Sequence, residues 1–242
     1  PGVIEYLHVL KLAAEESVER VETVLRRQLA EPGKWWAVQV REQLAPVARK
    51  VIELAKAKEV DATVTGPISK EAINLAGFHY SGHTEIYADL TQTKDYAMML
   101  VHDQFRVIHV STHVSLREAC ERVKKDRVYR VIRLGYDAVK RLGVENPKIA
   151  VAGLNPHAGE EGLFGREEIE EIEPAIQQAK KDGLHIEGPI PPDTVFSKMQ
   201  GGQYDLVVVM YHDQGHIPTK LIGFQYDDKT KTWGSMSGVN IT

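Results

Sequence analysis

The stretch that decides the fold is Asp205–Lys220, DLVVVMYHDQGHIPTK, in which an apolar run leads into two histidines, an aspartate and a lysine. The run at 206–210 is rich in β-branched residues and too short for a helix, so it predicts a strand. A strand that is apolar throughout is buried on both faces, as in parallel sheets covered by helices. Ligands of such sheets bind beyond the carboxyl ends of the strands. The residues from His212 onward are therefore predicted to lie at a binding site.

The same unit of strand, turn and helix recurs along the chain. Helical periodicity predicts helices over 11–30 and 36–57, and Ser115 and Glu118 have the spacing of a capping box at the start of another helix. Short strands separated by helices predict an α/β fold whose sheet is largely parallel and covered on both faces. The other predicted strands are 60–65, 97–101, 106–111, 148–153 and 184–187.

The composition argues against several classes of protein. The chain has 242 residues, of which 43% are hydrophobic, and this is enough for a sizeable core. Its net charge of -4 is dispersed, so no basic face for a nucleic acid is expected. No run approaches the roughly 18 apolar residues that cross a membrane. Cys120 is the single cysteine of the sequence, which argues against a disulfide framework and favours a cytoplasmic protein.

Three histidines, His113, His157 and His212, each come two to four residues after a predicted strand. Neutral imidazole is a common ligand of zinc and similar divalent ions, and three protein ligands leave coordination positions open for catalysis. The pattern indicates a divalent metal site, with hydrogen-bonded or solvated loop histidines as the alternative. His216 is expected to be a buried, hydrogen-bonded histidine.

Other polar residues leave two interpretations open. In SGHTE, His83 and Thr84 either contact a ligand or mark the start of a helix that Thr84 caps. Lys70 and Lys220 either supply two positive charges to a phosphate or carboxylate or are solvated. Neither glycine-rich nucleotide-binding motif occurs, so motifs alone predict no cofactor and no cofactor-binding residues.

Five longer motifs occur in a set order between about residue 57 and the end of the chain. They are TGPISKEAINLAGFHYSGHTE (65–85), GLNPHAGEEGLFGREE (153–168), GPIPPDTVF (188–196), MYHDQGHIPTK (210–220) and SGVNIT (237–242). Together they resemble the 4-hydroxythreonine-4-phosphate dehydrogenase family of vitamin B6 biosynthesis. The family's N-terminal motif of the Gly-Asp-Pro-Ala-Gly-Ile-Gly-Pro type and its segment after VNIT have no counterpart in the sequence, so truncation at both ends is expected.

The resemblance implies a three-layer α/β/α architecture like that of isocitrate and isopropylmalate dehydrogenases, which binds NAD without the usual glycine fingerprint. Residues 1–75 would form part of a first α/β subdomain. Residues 76–242 would form a second one, which carries the metal and substrate ligands and the dimer interface, with a cleft between the two. A homodimer with its active site near the interface follows from the same resemblance.

The resemblance also assigns roles to individual residues. Asp213 resembles a further polar group of the family's active site. On chemical grounds Asp213, Lys70 or a metal-bound water is the candidate catalytic group that accepts the hydroxyl proton, and the choice among them stays open. The metal ion is expected to be a divalent one such as Zn, Mg or Co. Carried over position by position, the metal ligands fall on His113, His157 and His212 and the substrate ligands on His83, Thr84, Lys220 and Asn240.

The reaction implied is oxidation of a phosphorylated hydroxy acid by NAD or NADP, with 4-phosphooxy-L-threonine as the expected substrate, followed by decarboxylation. The details GLFG, VSLREAC and GHIPTK resemble a branch that acts on 4-phospho-D-threonate or 4-phospho-D-erythronate. Two other classes of function stay open on the residues alone. A three-histidine site would also suit a metal-dependent phosphatase, and the fold would also suit a non-catalytic ligand-binding protein.

Overall fold

The computed structural model of the chain describes residues 50–60, 63, 79–80, 82–224, 226–233 and 239–241. The chain divides into two compact units between Lys94 and Asp95. In the first unit, residues 50–56 are helical, as the periodicity predicts, and helix α1 spans His83–Thr91. The strand predicted at 60–65 and the helix predicted at 11–30 fall mostly or wholly outside the described residues. The predicted subdomain boundary between 75 and 76 and the cleft stay predictions.

The second unit contains a mixed sheet of six strands among the residues that the structure describes. The strands are β1 Met99–His102, β2 Phe105–His109, β3 Ile149–Ala152, β4 Ile186–Ile190, β5 Leu206–Val209 and β8 Val239–Ile241. Their order in the sheet is β4-β3-β5-β2-β1-β8, and β4, β3, β5 and β2 run parallel. A separate two-stranded hairpin joins β6 Tyr226–Asp227 to β7 Thr232–Trp233.

Strand β1 departs from the parallel order and pairs antiparallel with both β2 and β8. Its link to β2 is only Asp103 and Gln104, and Asp103 has a left-handed φ of 51°. Two residues can join antiparallel strands, whereas a parallel pair needs a crossover of a dozen residues or so. The prediction of a largely parallel sheet is therefore confirmed for its centre, and the hairpin adds an antiparallel edge.

Helices cover both faces of this sheet. Helix α2 begins after Ser115, whose Oγ accepts a hydrogen bond from the backbone N–H of Glu118 at 3.2 Å, which confirms the predicted cap. A π-helical turn, Glu168–Ile172, continues directly into α4. The helices of the second unit are α2 Leu116–Arg122, α3 Lys125–Arg141, α4 Glu173–Lys181, α5 Pro192–Gln200 and α6 His212–Gly223.

The central strand β5 shows how the core is divided into two layers. Leu206 and Val208 pack with α3 and α4 on one face, while Val207 and Val209 pack with α5 and α6 on the other. All four side chains are fully buried, and each buried side chain of this size contributes about 1.5–3 kcal/mol of hydrophobic free energy. The predicted α/β class and its three layers are therefore confirmed in this unit.

The topology places three loops at one edge of the sheet. Strand β5 lies between β3 and β2 and is parallel to both. The carboxyl ends of these strands therefore meet at the same edge, and the chain leaves each strand there. The loop after β2 carries His113, the loop after β3 carries His157, and His212 follows β5.

None of the helices in the described part of the chain is long and apolar enough to cross a membrane.

Candidate active site

His212 is the first residue of α6, where the chain turns from β5 into the helix. Its Nδ1 lies 2.7 Å from Oδ1 of the neighbouring Asp213. A carboxylate accepts, so this nitrogen donates and Nε2 is the nitrogen that remains for a ligand. The hydrogen bond from His212 lowers the pKa of Asp213. Asp213 therefore acts here as a carboxylate that orients the imidazole, the arrangement found beside many metal-binding histidines.

His113 lies next to His212, because β2 and β5 are neighbours in the sheet. The two ring centroids are 5.6 Å apart, and the ring planes are inclined by 47°. A zinc ion held at about 2 Å from one nitrogen of each ring needs ring centroids within about 6 Å of each other. The structure thus brings together two of the three predicted metal ligands, and their donor atoms suit a borderline divalent ion.

His157 lies on the turn Pro156–Gly162 after β3. Its Nδ1 is 3.0 Å from Glu160 Oε2, and its ring meets that of Phe164 edge to face at 6.0 Å. Across the described ranges, no three His, Cys, Asp or Glu side chains are arranged to hold a metal ion. The structure therefore does not gather His157 with the other two histidines, and its place in the metal triad stays a prediction.

The turn that carries His157 is built around a buried carboxylate. Glu168 is 2% exposed, and its Oε1 accepts from the backbone N–H groups of Leu154 and Asn155 at 2.7 and 2.8 Å. Its Oε2 accepts from Asn155 Nδ2 at 2.9 Å. A Cβ on Gly159 would lie 2.7 Å from the same carboxylate, so only glycine leaves room for it. Glu168 was not predicted from the sequence, because nothing in a run of glutamates marks one as buried.

Gln214 ties the loops after β3 and β5 together. Its Nε2 donates to the carbonyl oxygen of Gly153 at 2.8 Å, and its Oε1 accepts from the backbone N–H of Met210 at 2.6 Å. Gln214 is buried, so both bonds are protected from water. The start of α6 is thereby joined to the end of β3. This role of Gln214 was not predicted from the sequence, although its position two residues after the candidate ligand His212 could have pointed to it.

A row of imidazole rings extends behind His212. The His216 ring is stacked on that of His212, with centroids 3.6 Å apart and planes 9° from parallel. His216 is buried, and its Nδ1 donates to the backbone oxygen of His212 at 3.0 Å, which confirms the predicted buried, hydrogen-bonded histidine. Burial lowers the pKa of His216 to about 4. The ring behind it therefore carries no charge at neutral pH.

His109 closes this row inside β2. Its Nδ1 donates to the carbonyl oxygen of Met98 at 3.0 Å, while its buried Nε2 has no hydrogen-bond partner among the residues that the structure describes. Burial lowers the pKa of His109 to about 3. Its ring lies 4.9 Å from that of His216. His109 was not predicted as part of the site, because a single histidine in an apolar strand resembles a polar residue on an exposed face.

Lys220 lies in the last turn of α6 and is exposed. It follows His212 by eight residues and His216 by four, so the three side chains share one side of the helix. Eight residues of α-helix span about 12 Å. Because the Cα–Cβ bonds of a helix tilt toward its N-terminus, the distance from the Lys220 ammonium group to His212 can be shorter than this backbone distance. The lysine charge therefore lies on the same side of the helix as the two histidines, beyond His216.

The other predicted site residues are placed as follows. His83 begins α1 and is half-buried, and burial lowers its pKa. Thr84 is buried, and Gly82 rather than Thr84 stands at the cap position, so the interpretation of Thr84 as a helix cap is wrong. Asn240 lies in β8 opposite Leu100. Lys70 lies outside the described residues.

Comparison with known proteins gives a consistent result. The profile of the family described as "Pyridoxal phosphate biosynthetic protein PdxA" matches residues 6–242. The D-threonate 4-phosphate dehydrogenase of Pectobacterium atrosepticum is 52% identical over 194 residues, which are 80% of this chain and 56% of that protein. The protein of the same name from Salmonella typhimurium is 45% identical over an alignment of 243 positions that covers 99% of this chain and 71% of that protein.

A solved structure is similar over the same region. The crystal structure of 4-hydroxythreonine-4-phosphate dehydrogenase from Klebsiella pneumoniae has a TM-score of 0.72 and 48% sequence identity. The match covers 77% of this chain and 56% of that one. The chain therefore spans only part of the length of these relatives.

Proposed function

Since the chain belongs to the family of the pyridoxal phosphate biosynthetic protein PdxA, we propose that the protein oxidises the hydroxyl group of a phosphorylated hydroxy acid. NAD or NADP is the hydride acceptor, and a divalent ion such as Zn, Mg or Co assists. The observation that carries the proposal is the pair of histidines, His113 and His212, at the carboxyl edge of the sheet with Asp213 orienting one of them.

The substrate we favour is D-threonate 4-phosphate. Two relatives that are 52% and 45% identical to the chain carry the name D-threonate 4-phosphate dehydrogenase. The sequence alone placed 4-phosphooxy-L-threonine first and the D-threonate and D-erythronate phosphates second, and these names reverse that order. All three substrates share a phosphate at one end and a hydroxyl group to be oxidised. The same site chemistry therefore applies to each.

The metal ion would be held by His113 and His212, with His157 as the third predicted ligand. When bound, a divalent ion lowers the pKa of the substrate hydroxyl group. Asp213 accepts a hydrogen bond from Nδ1 of His212, which fixes the ring orientation and leaves Nε2 as the nitrogen that can bind a metal ion. Gln214 keeps the loop before His157 joined to the start of α6. These residues set the position of the hydroxyl group.

Lys220 would bind the substrate phosphate. It lies about two helical turns beyond His212 on α6, and the Cα–Cβ bonds of an α-helix tilt toward the N-terminus, which is the end that carries His212. A four-carbon acid phosphate held at its hydroxyl end near His212 extends toward this lysine. Its positive charge is also one of the smaller causes of the lowered pKa of Asp213, after the hydrogen bond from His212. His83, Thr84 and Asn240 are proposed to bind the rest of the substrate.

The group that accepts the hydroxyl proton is proposed to be Asp213, Lys70 or a water that Asp213 orients. The lowered pKa of Asp213 keeps it ionised at neutral pH. An ionised carboxylate is able to accept a proton, but a low pKa makes it a weak base. A water molecule held by Asp213 is thus the better form of this proposal.

The protein is also proposed to form a homodimer. The exposed side of α6 carries Ile217 and Leu221, which are 64% and 79% exposed. Phe224 at the end of the helix is exposed as well. Large apolar side chains that cluster at a surface are typical of protein interfaces. Sedimentation of the complete protein at two concentrations tests this, and a monomer at both would contradict it.

The experiment that tests the proposed reaction follows NADH absorbance. The complete protein is incubated with NAD, a divalent metal ion and one of the three substrates, in parallel and with a chelator as the blank. NADH from D-threonate 4-phosphate is expected, and NADH from one of the others would correct the substrate alone. Release of inorganic phosphate without NADH would instead support a phosphatase.

A matched pair of variants links the reaction to the site. His212→Ala is expected to abolish NADH formation, because it removes a proposed metal ligand. His185→Ala, at an exposed histidine before β4, is expected to leave the rate unchanged. Full activity of the His212→Ala protein would contradict the assigned site.

A further inference from the structure

We propose that His216 is a positioning residue that holds the ring of His212 in the orientation needed to bind a divalent metal ion. This inference rests on the proposed function. The two rings lie face to face, 3.6 Å apart and 9° from parallel. His216 is 9% exposed, so its own ring is fixed by the surrounding protein. The stacked His216 ring therefore restricts rotation of the His212 ring about its side-chain bonds.

A hydrogen bond reinforces the stack. His216 lies one turn after His212 in α6, and its Nδ1 donates to the His212 backbone oxygen at 3.0 Å. Asp213 holds Nδ1 of His212 from the side at 2.7 Å. His212 is thus restrained on one ring face by His216 and at one ring edge by Asp213. The remaining nitrogen, Nε2, is presented in one orientation.

The supporting ring is itself supported from the core. The His109 ring lies 4.9 Å from that of His216, and its Nδ1 is bonded to the Met98 carbonyl oxygen. Gly215 makes this approach possible, because a Cβ at that position would lie 2.6 Å from His109 Nε2. The fully buried His109 therefore restrains the ring of His216, and His216 in turn restrains the ring of His212, the candidate metal ligand nearer the surface.

Removal of the His216 ring is expected to lower the affinity of the site for its metal ion. A metal ligand must be held within about 10–20° of its productive geometry. Loss of an outer group that orients a ligand lowers metal affinity by about 10–100-fold. The ligand atoms themselves stay in place when His216 is removed, so saturating metal should restore function. This separates a positioning role from that of a ligand.

The test uses the complete protein and isothermal titration with Co²⁺ alone. His216→Ala removes the ring, and His216→Phe keeps a flat ring but loses the Nδ1 hydrogen bond. His185→Ala is the control, because it removes the ring of an exposed histidine that lies before β4, outside the site. We expect Co²⁺ affinity to fall by about 10–100-fold in His216→Ala, to recover for the most part in His216→Phe, and to be unchanged in His185→Ala.

A second readout excludes a general loss of structure. In His216→Ala the metal concentration for half-maximal NADH formation should rise in step with the Co²⁺ dissociation constant, while kcat at saturating metal stays within a few-fold of wild type. Should His216→Ala fail to fold, His216→Leu fills similar space without a flat ring and takes its place. Wild-type Co²⁺ affinity in the folded variant would overturn the inference and leave the proposed function standing. Absence of Co²⁺ binding by the wild-type protein would overturn both.

Discussion

Replacement of Glu168 should release the loop that carries His157. The carboxylate of Glu168 is 2% exposed and accepts three hydrogen bonds from the chain between β3 and that loop. Two of them come from the backbone N–H groups of Leu154 and Asn155. The backbone of the His157 loop gives a further reason to expect a large effect, because four of its non-glycine residues have φ between 43° and 55°. Left-handed residues cost about 1–2 kcal/mol each, so this conformation depends on its anchors.

The size of the effect follows from the hydrogen bonds that are lost. A hydrogen bond to a charged group contributes about 1.5–3 kcal/mol. Glu168→Ala leaves two backbone donors without their acceptor, but these are half-buried and water replaces part of the loss. We therefore expect the free energy of unfolding to fall by roughly 3 kcal/mol, which lowers Tm by roughly 6–12 °C for a chain of this size. Glu168→Gln keeps one oxygen for the two N–H groups, so about 1 kcal/mol is expected.

Thermal denaturation and amide hydrogen exchange check this prediction. The Leu154 and Asn155 amides should exchange about 10–100-fold faster in Glu168→Ala, because each factor of ten corresponds to about 1.4 kcal/mol. Glu173→Gln, at an exposed glutamate in the first turn of α4, is the matched control and should change neither quantity. If Glu168→Ala kept the wild-type Tm and slow exchange at both amides, the anchoring role would be refuted.

Three further predictions concern the interior. Since burial lowers the pKa of His109 to about 3, the unfolded chain holds one more proton at this residue than the folded chain between about pH 6.5 and 3, so His109 should lower stability by about 1.4 kcal/mol for each unit by which the pH falls, and His216 adds a second contribution above about pH 4; His109→Asn should remove the His109 part of this slope in urea titrations and the exposed His185→Gln should not. Gly215→Ala would place a Cβ 2.6 Å from His109 Nε2, and a loss of about 1–3 kcal/mol by chemical denaturation is expected from this overpacking. Tyr204 donates a hydrogen bond to Glu187 at 2.6 Å, and burial together with this bond raises the pKa of Tyr204 to about 12; Tyr204→Phe should cost about 1–2 kcal/mol and abolish this high-pH titration in the ultraviolet spectrum.

The α/β class, the central strands and the strand-end histidines were readable from the sequence. The run Leu206–Met210 is apolar throughout, and in the structure β5 is covered on both faces. The cap at Ser115 was also predictable, because it depends on a side chain and an N–H group three residues apart. Hydrophobic runs and helix caps depend only on residues that are close together in the sequence, so the sequence is enough to predict them. The metal triad was drawn from the same local pattern, and the structure places two of its three members together.

What the sequence by itself determined is therefore the set of elements and the side chains that follow them. Tertiary structure alone decided that β2 lies beside β5, which brings His113 to His212 from 99 residues away. It also decided that Glu168 is buried beneath the His157 loop and that His109 stands behind His216. These relations depend on strand order and on contacts between distant segments. Hydrophobic periodicity reports which face of an element is buried, but it does not report which segment covers that face.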